Sequence, residues 1–241
     1  MSEPVTPLAG HAQAEHGLGD HGLKGETTTL EPDRQERLLA RRSAESRATV
    51  PTVEFSSIAA VDVLLERERE LGCGIVAAVI AAAAHALRTV PRVNGSYRDG
   101  RYELHGRVNI GVTLVGEGLY ATPTVFDADQ RSAAELGAEL AGLYARAREQ
   151  ELHPAELAGA TFTLVDLSEY AIVALTPLIT PPQAGALAFG PIRDVPVVRD
   201  GQVVAGHTMQ LSLAVDHRIV YGHHAAAFLE EVKAFLEEAR I

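Results

Sequence analysis

The sequence has no tryptophan and one cysteine, Cys73. A single thiol excludes an intramolecular disulfide framework. Basic residues are in the minority: 21 Lys and Arg stand against 32 Asp and Glu, a formal net charge of −11 spread along the chain rather than gathered in a tail. A chain of that charge lacks the basic face that nucleic-acid phosphates or an anionic membrane require, so neither is expected as a partner. No secretory n-region and h-region open the chain. The longest apolar run, IVAAVIAAAAHAL, falls short of a membrane span and contains His85. The resulting expectation is a soluble, cytoplasmic protein without internal repeats.

What is present suits a globular chain. Its 241 residues are 46% hydrophobic, enough for a sizeable core in one large domain or two small ones. Residues 1–31 lack hydrophobic periodicity and are rich in Gly, Pro, His and acidic residues, which predicts a flexible N-terminal arm. His11, His16 and His21 recur there every five residues, but a tail without supporting hydrogen-bond partners makes a poor metal site, and no metal is expected.

From residue 32 to 241 the pattern tightens into a single domain. DRQERLLARRSAES predicts a short amphipathic helix, and TVEFSSIAAVD a strand. VDVLLERERELG predicts a helix stopped by Gly72. IVAAVIAAAAHALRTVP is apolar nearly all round, so that helix is expected to be buried, with His85 in the core or on the helix surface. SYRDGRYELHG is a hairpin with an Asp-Gly turn. RVNIGVTLVGEGLYATPTVFDAD predicts a strand pair; its glycines do not have phosphate-loop spacing and are read as a hairpin turn. SAAELGAELAGLYARAREQEL is a long amphipathic helix, and ATFTLVDL a strand. Three further strands surround a second Asp-Gly turn, and HHAAAFLEEVKAFLEEAR closes the chain as a helix. Interleaved strands, helices and hairpins predict an α/β fold with a mixed, largely antiparallel sheet and helices packed against it.

Several local words, in order, carry a resemblance. RLLARRSAES, AHALRTVPRVNGSY, RVNIGVTLVGEGLYATPTVFDAD, ELHPAELAGATFTLVDL, TPLITPPQAGALAFGPI and SLAVDHRIVYGHHAAAFLEEVKAFLE together resemble the catalytic domain of the dihydrolipoyl acyltransferases of 2-oxoacid dehydrogenase complexes. The resemblance implies a chloramphenicol acetyltransferase-like two-layer α/β sandwich. It also implies a homotrimer with active sites between subunits, and acyl transfer from acetyl-CoA or another acyl-CoA to a thiol or hydroxyl. The histidine of the family's DHRxxDG motif is its general base, and His217 matches it, followed by Arg218. Imidazole titrates near neutrality, as that task requires.

Two positions depart from the family. Its oxyanion donor, a Ser or Thr on the strand after FT, is Val165 here, and valine donates no hydrogen bond. Thr163 lies on the same strand face about 6–7 Å away. Ser168, Tyr221, a backbone N–H and a water are the other candidate donors. The family's aspartate four residues after the histidine, a structural anion for an arginine, is Tyr221. Arg42 is the candidate for the deserted arginine: either it takes a new anion, for which Asp216 and Asp166 are candidates, or it reaches solvent.

The chain starts at its own Met, shows no lipoyl domain with its Asp-Lys-Ala turn and no subunit-binding domain, and stops at FLEEARI, so an isolated trimer without a covalent lipoyl group is expected. The first functional reading is a stand-alone O-acyltransferase acting on a small-molecule acceptor, such as a tetronate or polyketide intermediate. The second is a dehydrogenase-complex acyltransferase using a lipoyl domain in trans. The third is an inactive scaffold of the same fold. Elsewhere His207 is expected to be solvated, His223 and His224 exposed or at the trimer seam, and Cys73 buried rather than nucleophilic.

Overall fold

A computed structural model describes residues 25–116 and 119–241. The histidines at 11, 16 and 21, most of the expected arm, and the turn at Glu117–Gly118 lie outside the described residues. By backbone contacts the chain divides into a unit ending at Arg41 and a unit from Arg42 to Ile241. Helix α1 (Arg34–Thr49) begins in the first. Its start is capped reciprocally: the Glu36 N–H donates to the Asp33 carboxylate at 2.8 Å, and the Asp33 N–H to the Glu36 carboxylate at 2.7 Å.

The second unit is built on a sheet of strands β1 (Thr52–Ala60), β4 (Ile110–Gly116), β5 (Leu119–Ala121), β7 (Phe162–Asp166), β8 (Gly185–Phe189) and β10 (Gln202–Asp216), in the order β1-β10-β8-β7-β4-β5. β6 (Thr124–Val125) adds to β4, and β9 (Arg193–Arg199) to β10. Among the described residues only the β4–β7 and β7–β8 pairs are parallel. The expected mixed, mostly antiparallel sheet is therefore present. A separate hairpin, β2 (Gly95–Arg98) with β3 (Arg101–Leu104), turns through Asp99 and Gly100, both at positive φ, as an Asp-Gly turn requires.

Period-2 alternation divides the sheet's faces. Leu211, Leu213, Val215, Leu187, Phe162, Leu164, Ile110 and Val112 point to the helix side and are buried in the main core. Helices α2 (Asp62–Leu71), α3 (Ile75–Thr89), α4 (Ala133–Arg148) and α5 (Gly222–Glu237) belong to this layer. α3 packs against both α4 and α5, which is why its alanine-rich surface is apolar nearly all round. Gly137 on α4 lies against the Cys73 backbone carbonyl, where a Cβ would stand only 2.2 Å from the oxygen. On the opposite face small and polar residues prevail: Ser212, Ala214, Ala186, Ala188, Thr163 and Val165. Part of that face is covered by Ile179 and Val50, which bury Ala214 in a second, small core. Among the described residues no single helix is long and apolar enough to cross a membrane.

Candidate active site

β10 ends at Asp216, and a tight turn follows. The Asp216 carbonyl accepts from the N–H groups of Ile219 (3.1 Å) and Val220 (2.9 Å), and the His217 N–H reaches the Pro51 carbonyl beside β1 at 3.0 Å. Ile219 and Val220 are fully buried. With the turn pinned on both sides, the His217 side chain is left outside, exposed.

The Asp216 carboxylate, only 2% exposed, takes Arg218 Nε at 3.0 and 3.2 Å and Nη2 at 2.7 Å, plus the Arg218 backbone N–H at 2.9 Å. This charge-assisted grip holds the guanidinium protonated still more firmly than usual. The Arg218 guanidinium carbon stacks 4.7 Å from the Tyr97 ring centre on β2. Asp216 is thus not the replacement anion for Arg42. Asp166 is not either: it accepts from the Ser168 hydroxyl at 2.6 Å and the Ser168 N–H at 2.9 Å. Arg42 is exposed, and its field lowers the Tyr120 phenol pKa against a larger upward push from burial. Of the two outcomes open to it, Arg42 takes the solvent one.

Tyr221 lies beside His217, edge to face at 5.7 Å between ring centres. Its hydroxyl meets the Tyr102 hydroxyl on β3 at 2.9 Å. The Arg92 guanidinium carbon sits 4.7 Å from the Tyr102 ring centre and 5.8 Å from that of Tyr221, while its Nη1 donates to the Ile219 carbonyl at 3.3 Å. The bond to Tyr102 pushes the Tyr221 phenol up, and Arg92 pulls it the other way. The hairpin can reach this turn because Gly95 has no side chain: a Cβ there would fall 2.9 Å from the Glu103 carbonyl and 3.1 Å from Ile219.

The Tyr221 N–H donates to His224 Nδ1 at 3.2 Å, fixing that nitrogen as an acceptor. Burial, then the charges of His223 and Arg92, lower the His224 pKa. The His223 ring, exposed, stacks 3.8 Å from that of His224.

Thr163 is placed elsewhere. It is 3% exposed, and its hydroxyl donates to Gln183 Oε1 at 2.7 Å. Gln183 in turn donates to the Ala160 carbonyl at 3.2 Å and bridges by backbone to Ser96 on β2. The Thr163 hydroxyl thus ties the sheet to the hairpin and is not aimed at His217. Val165, half-buried, pairs with Ala188, which pairs with Ser212. His217 follows Ser212 by five positions. At about 3.4 Å per residue and about 4.8 Å per strand, His217 and Val165 are roughly 20 Å apart within one chain. Two clefts, of about 210 and 410 Å³, flank residues 168–177 and are not lined by His217.

Residues that local sequence reasoning missed are Arg92 and Tyr102. No spacing rule couples them to Tyr221, more than a hundred positions away. His207 also differs from expectation. Rather than being simply solvated, it is held by Asp62 at 2.8 Å and Asp194 at 3.3 Å, and Asp62 is paired with Arg199 as well. Cys73 is buried, which raises its thiol pKa. Among the described residues no cluster of His, Cys, Asp and Glu could hold a metal ion.

Comparison with known proteins places this geometry. Residues 25–240 match the family model for the catalytic domain of 2-oxoacid dehydrogenase acyltransferases. A Rickettsia bellii acetyltransferase component of the pyruvate dehydrogenase complex is 32% identical over 211 residues, covering 83% of this chain and 50% of that protein. A Bartonella vinsonii succinyltransferase component of the 2-oxoglutarate dehydrogenase complex is 34% identical over 175 residues, 73% of this chain and 43% of that one. The chain spans about half the length of the curated relatives it matches. A solved cubic core of the pyruvate dehydrogenase multienzyme complex superimposes with a TM-score of 0.86 at 25% identity, covering 94% of this chain and 98% of that one. Chloramphenicol acetyltransferase superimposes with a TM-score of 0.56 at 16% identity, over 81% of this chain and 94% of that one, a likeness of fold alone.

Proposed function

We propose, because the chain belongs to the 2-oxoacid dehydrogenase acyltransferase family, that it transfers an acetyl or other short acyl group from CoA to a hydroxyl of a small molecule, with His217 as general base. The observation that carries this reading is the turn itself. The motif histidine is held outward by the pair of buried Asp216 with part-exposed Arg218 and a backbone clip to Pro51. His217 removes the acceptor proton as the oxygen attacks the thioester carbonyl, and returns it to the departing CoA thiolate.

The site is completed by a second copy. The roughly 20 Å between His217 and the β7 position of Val165 within one chain favours catalysis at a subunit seam. A homotrimer fits the oligomeric core of the solved relative. Val165 offers the developing oxyanion an apolar wall. With Tyr221 in place of an aspartate, that supports an acceptor unlike dihydrolipoamide, such as a natural-product intermediate of the tetronate or polyketide type.

The second reading, a complex component served by a lipoyl domain in trans, draws on the relatives' names, all of which describe components of multienzyme systems. Thioester cleavage with acetyl-CoA separates the readings when hydroxyl acceptors and dihydrolipoamide are offered side by side. Turnover with hydroxyls that falls by about 100-fold or more in His217→Ala supports the first. Turnover only with dihydrolipoamide supports the second, and none with either supports an inactive scaffold.

A further inference from the structure

Arg92 is a half-buried cation with no carboxylate partner among the described residues. It meets the Ile219 carbonyl, the faces of Tyr102 and Tyr221, and the Tyr221 hydroxyl, all uncharged groups. The other guanidinium of this corner, on Arg218, is fully matched by Asp216. In a chain with net charge −11, an uncompensated arginine beside two phenol hydroxyls stands apart from its surroundings. The first turn of α5, starting at Gly222, adds the partial positive charge of its free amide groups to the same corner. The histidines beside Tyr221, His223 and His224, bring no negative charge.

The spacing links this cation to the reacting centre. Arg92 is 5.8 Å from the Tyr221 ring centre, and that ring is 5.7 Å from the His217 ring. Guanidinium and imidazole therefore neighbour the same aromatic ring. The Tyr102–Tyr221 hydrogen bond and the double cation–π contact hold the arginine's fork in place, so little side-chain freedom is lost when it engages a ligand.

We propose that Arg92, braced by Tyr102 and Tyr221, is the specificity site for a carboxylate or similar oxyanion carried by the acceptor next to the hydroxyl that faces His217. This rests on the acyltransferase reading for the word acceptor, but its test does not. The planar guanidinium pairs with an oxyanion through two parallel bonds, and whichever tyrosine hydroxyl accepts in the Tyr102–Tyr221 bond keeps its own O–H free to donate to the same group.

Calorimetric titration of the assembled protein, at fixed ionic strength and without acyl-CoA, compares 4-hydroxybenzoate with the uncharged 4-hydroxybenzamide. The parent is expected to bind the carboxylate at least tenfold more tightly. Arg92→Gln should abolish that preference, and Arg92→Lys should restore part of it. Equal binding of the two probes by the parent, no binding of the carboxylate at millimolar concentration, or a preference that survives Arg92→Gln overturns the proposal. So does dissociation of the assembly in Arg92→Gln by mass photometry, which would make the arginine's partner a carboxylate of a second copy. If the preference is found and no acyl transfer can be detected, the recognition site stands and the acyltransferase reading fails.

Discussion

Asp216 and Arg218 are two residues apart and face each other across the residue between them, His217. The carboxylate holds both the guanidinium and the backbone N–H of Arg218, so the turn cannot open without stranding a charge that is 98% shielded from solvent. Arg218→Met removes the partner and leaves the anion with the backbone N–H alone. The expected cost is about 2 kcal/mol, below that of a fully buried pair because Arg218 is itself one-third exposed, and a melting temperature lower by about 4–8 °C. Calorimetry checks this. An unchanged melting temperature would mean that the pair does not hold the turn.

Thr163→Val should separate support from chemistry. The substitution keeps shape and leaves Gln183 Oε1 buried without its donor, at a cost of about 1–3 kcal/mol. Turnover by the folded fraction should stay at the parent level. A fall in kcat with an unchanged melting temperature would instead put the Thr163 hydroxyl in the transition state.

Val165→Ser introduces a donor at the position where the family carries one. If β7 presents this position to the oxyanion formed at a neighbour's His217, kcat should rise at least tenfold with KM little changed, since one oxyanion donor is worth about 100- to 1000-fold. A flat response would show that the acyl group sits elsewhere.

Stability should fall on mild acidification. Burial lowers the His105 pKa, with Arg98 adding to this and Glu103 opposing it, and its Nε2 is bound to the fully buried Ser96 at 2.9 Å. His224 is lowered too. Both folded-state values lie below the ordinary histidine value near 6.5, so the unfolded chain takes up these protons first. The stabilisation is complete above about pH 6.5 and is lost as pH falls through the folded-state values. Melting temperatures between pH 7.5 and 5 should show the decline, and His105→Gln should reduce its slope. A slope identical to the parent's would remove His105 from this account.

Gly137→Ala is a minimal change with a large expected effect. The new methyl would meet the Cys73 carbonyl, backbone that cannot swing aside, so α4 and the α2–α3 connection must separate. The cost should be about 1–3 kcal/mol. Gly142→Ala on the same helix meets only the end of the Arg146 side chain and should be neutral or slightly stabilising. Equal melting temperatures for the two variants would contradict the close contact.

Local chemistry made much of this legible in the chain. The all-round apolarity of Ile75–Thr89 announced a buried helix, and Asp99-Gly100 and Asp200-Gly201 announced two hairpins. The words around His217 announced the turn and its family. Each of these signals lies within one element, where the period of 2 or 3.6 ties a residue's neighbours to its burial. The partners of individual side chains were decided at another level. Asp216 chose Arg218 over Arg42, Thr163 chose Gln183, and Tyr221 met Tyr102 and Arg92, the last because Gly95, having no Cβ, lets the hairpin approach the turn. Such choices depend on the register and spacing of elements a hundred residues apart. No periodicity in a linear chain records them, so the turn that carries His217 was readable from the sequence and the side chains that surround it were not.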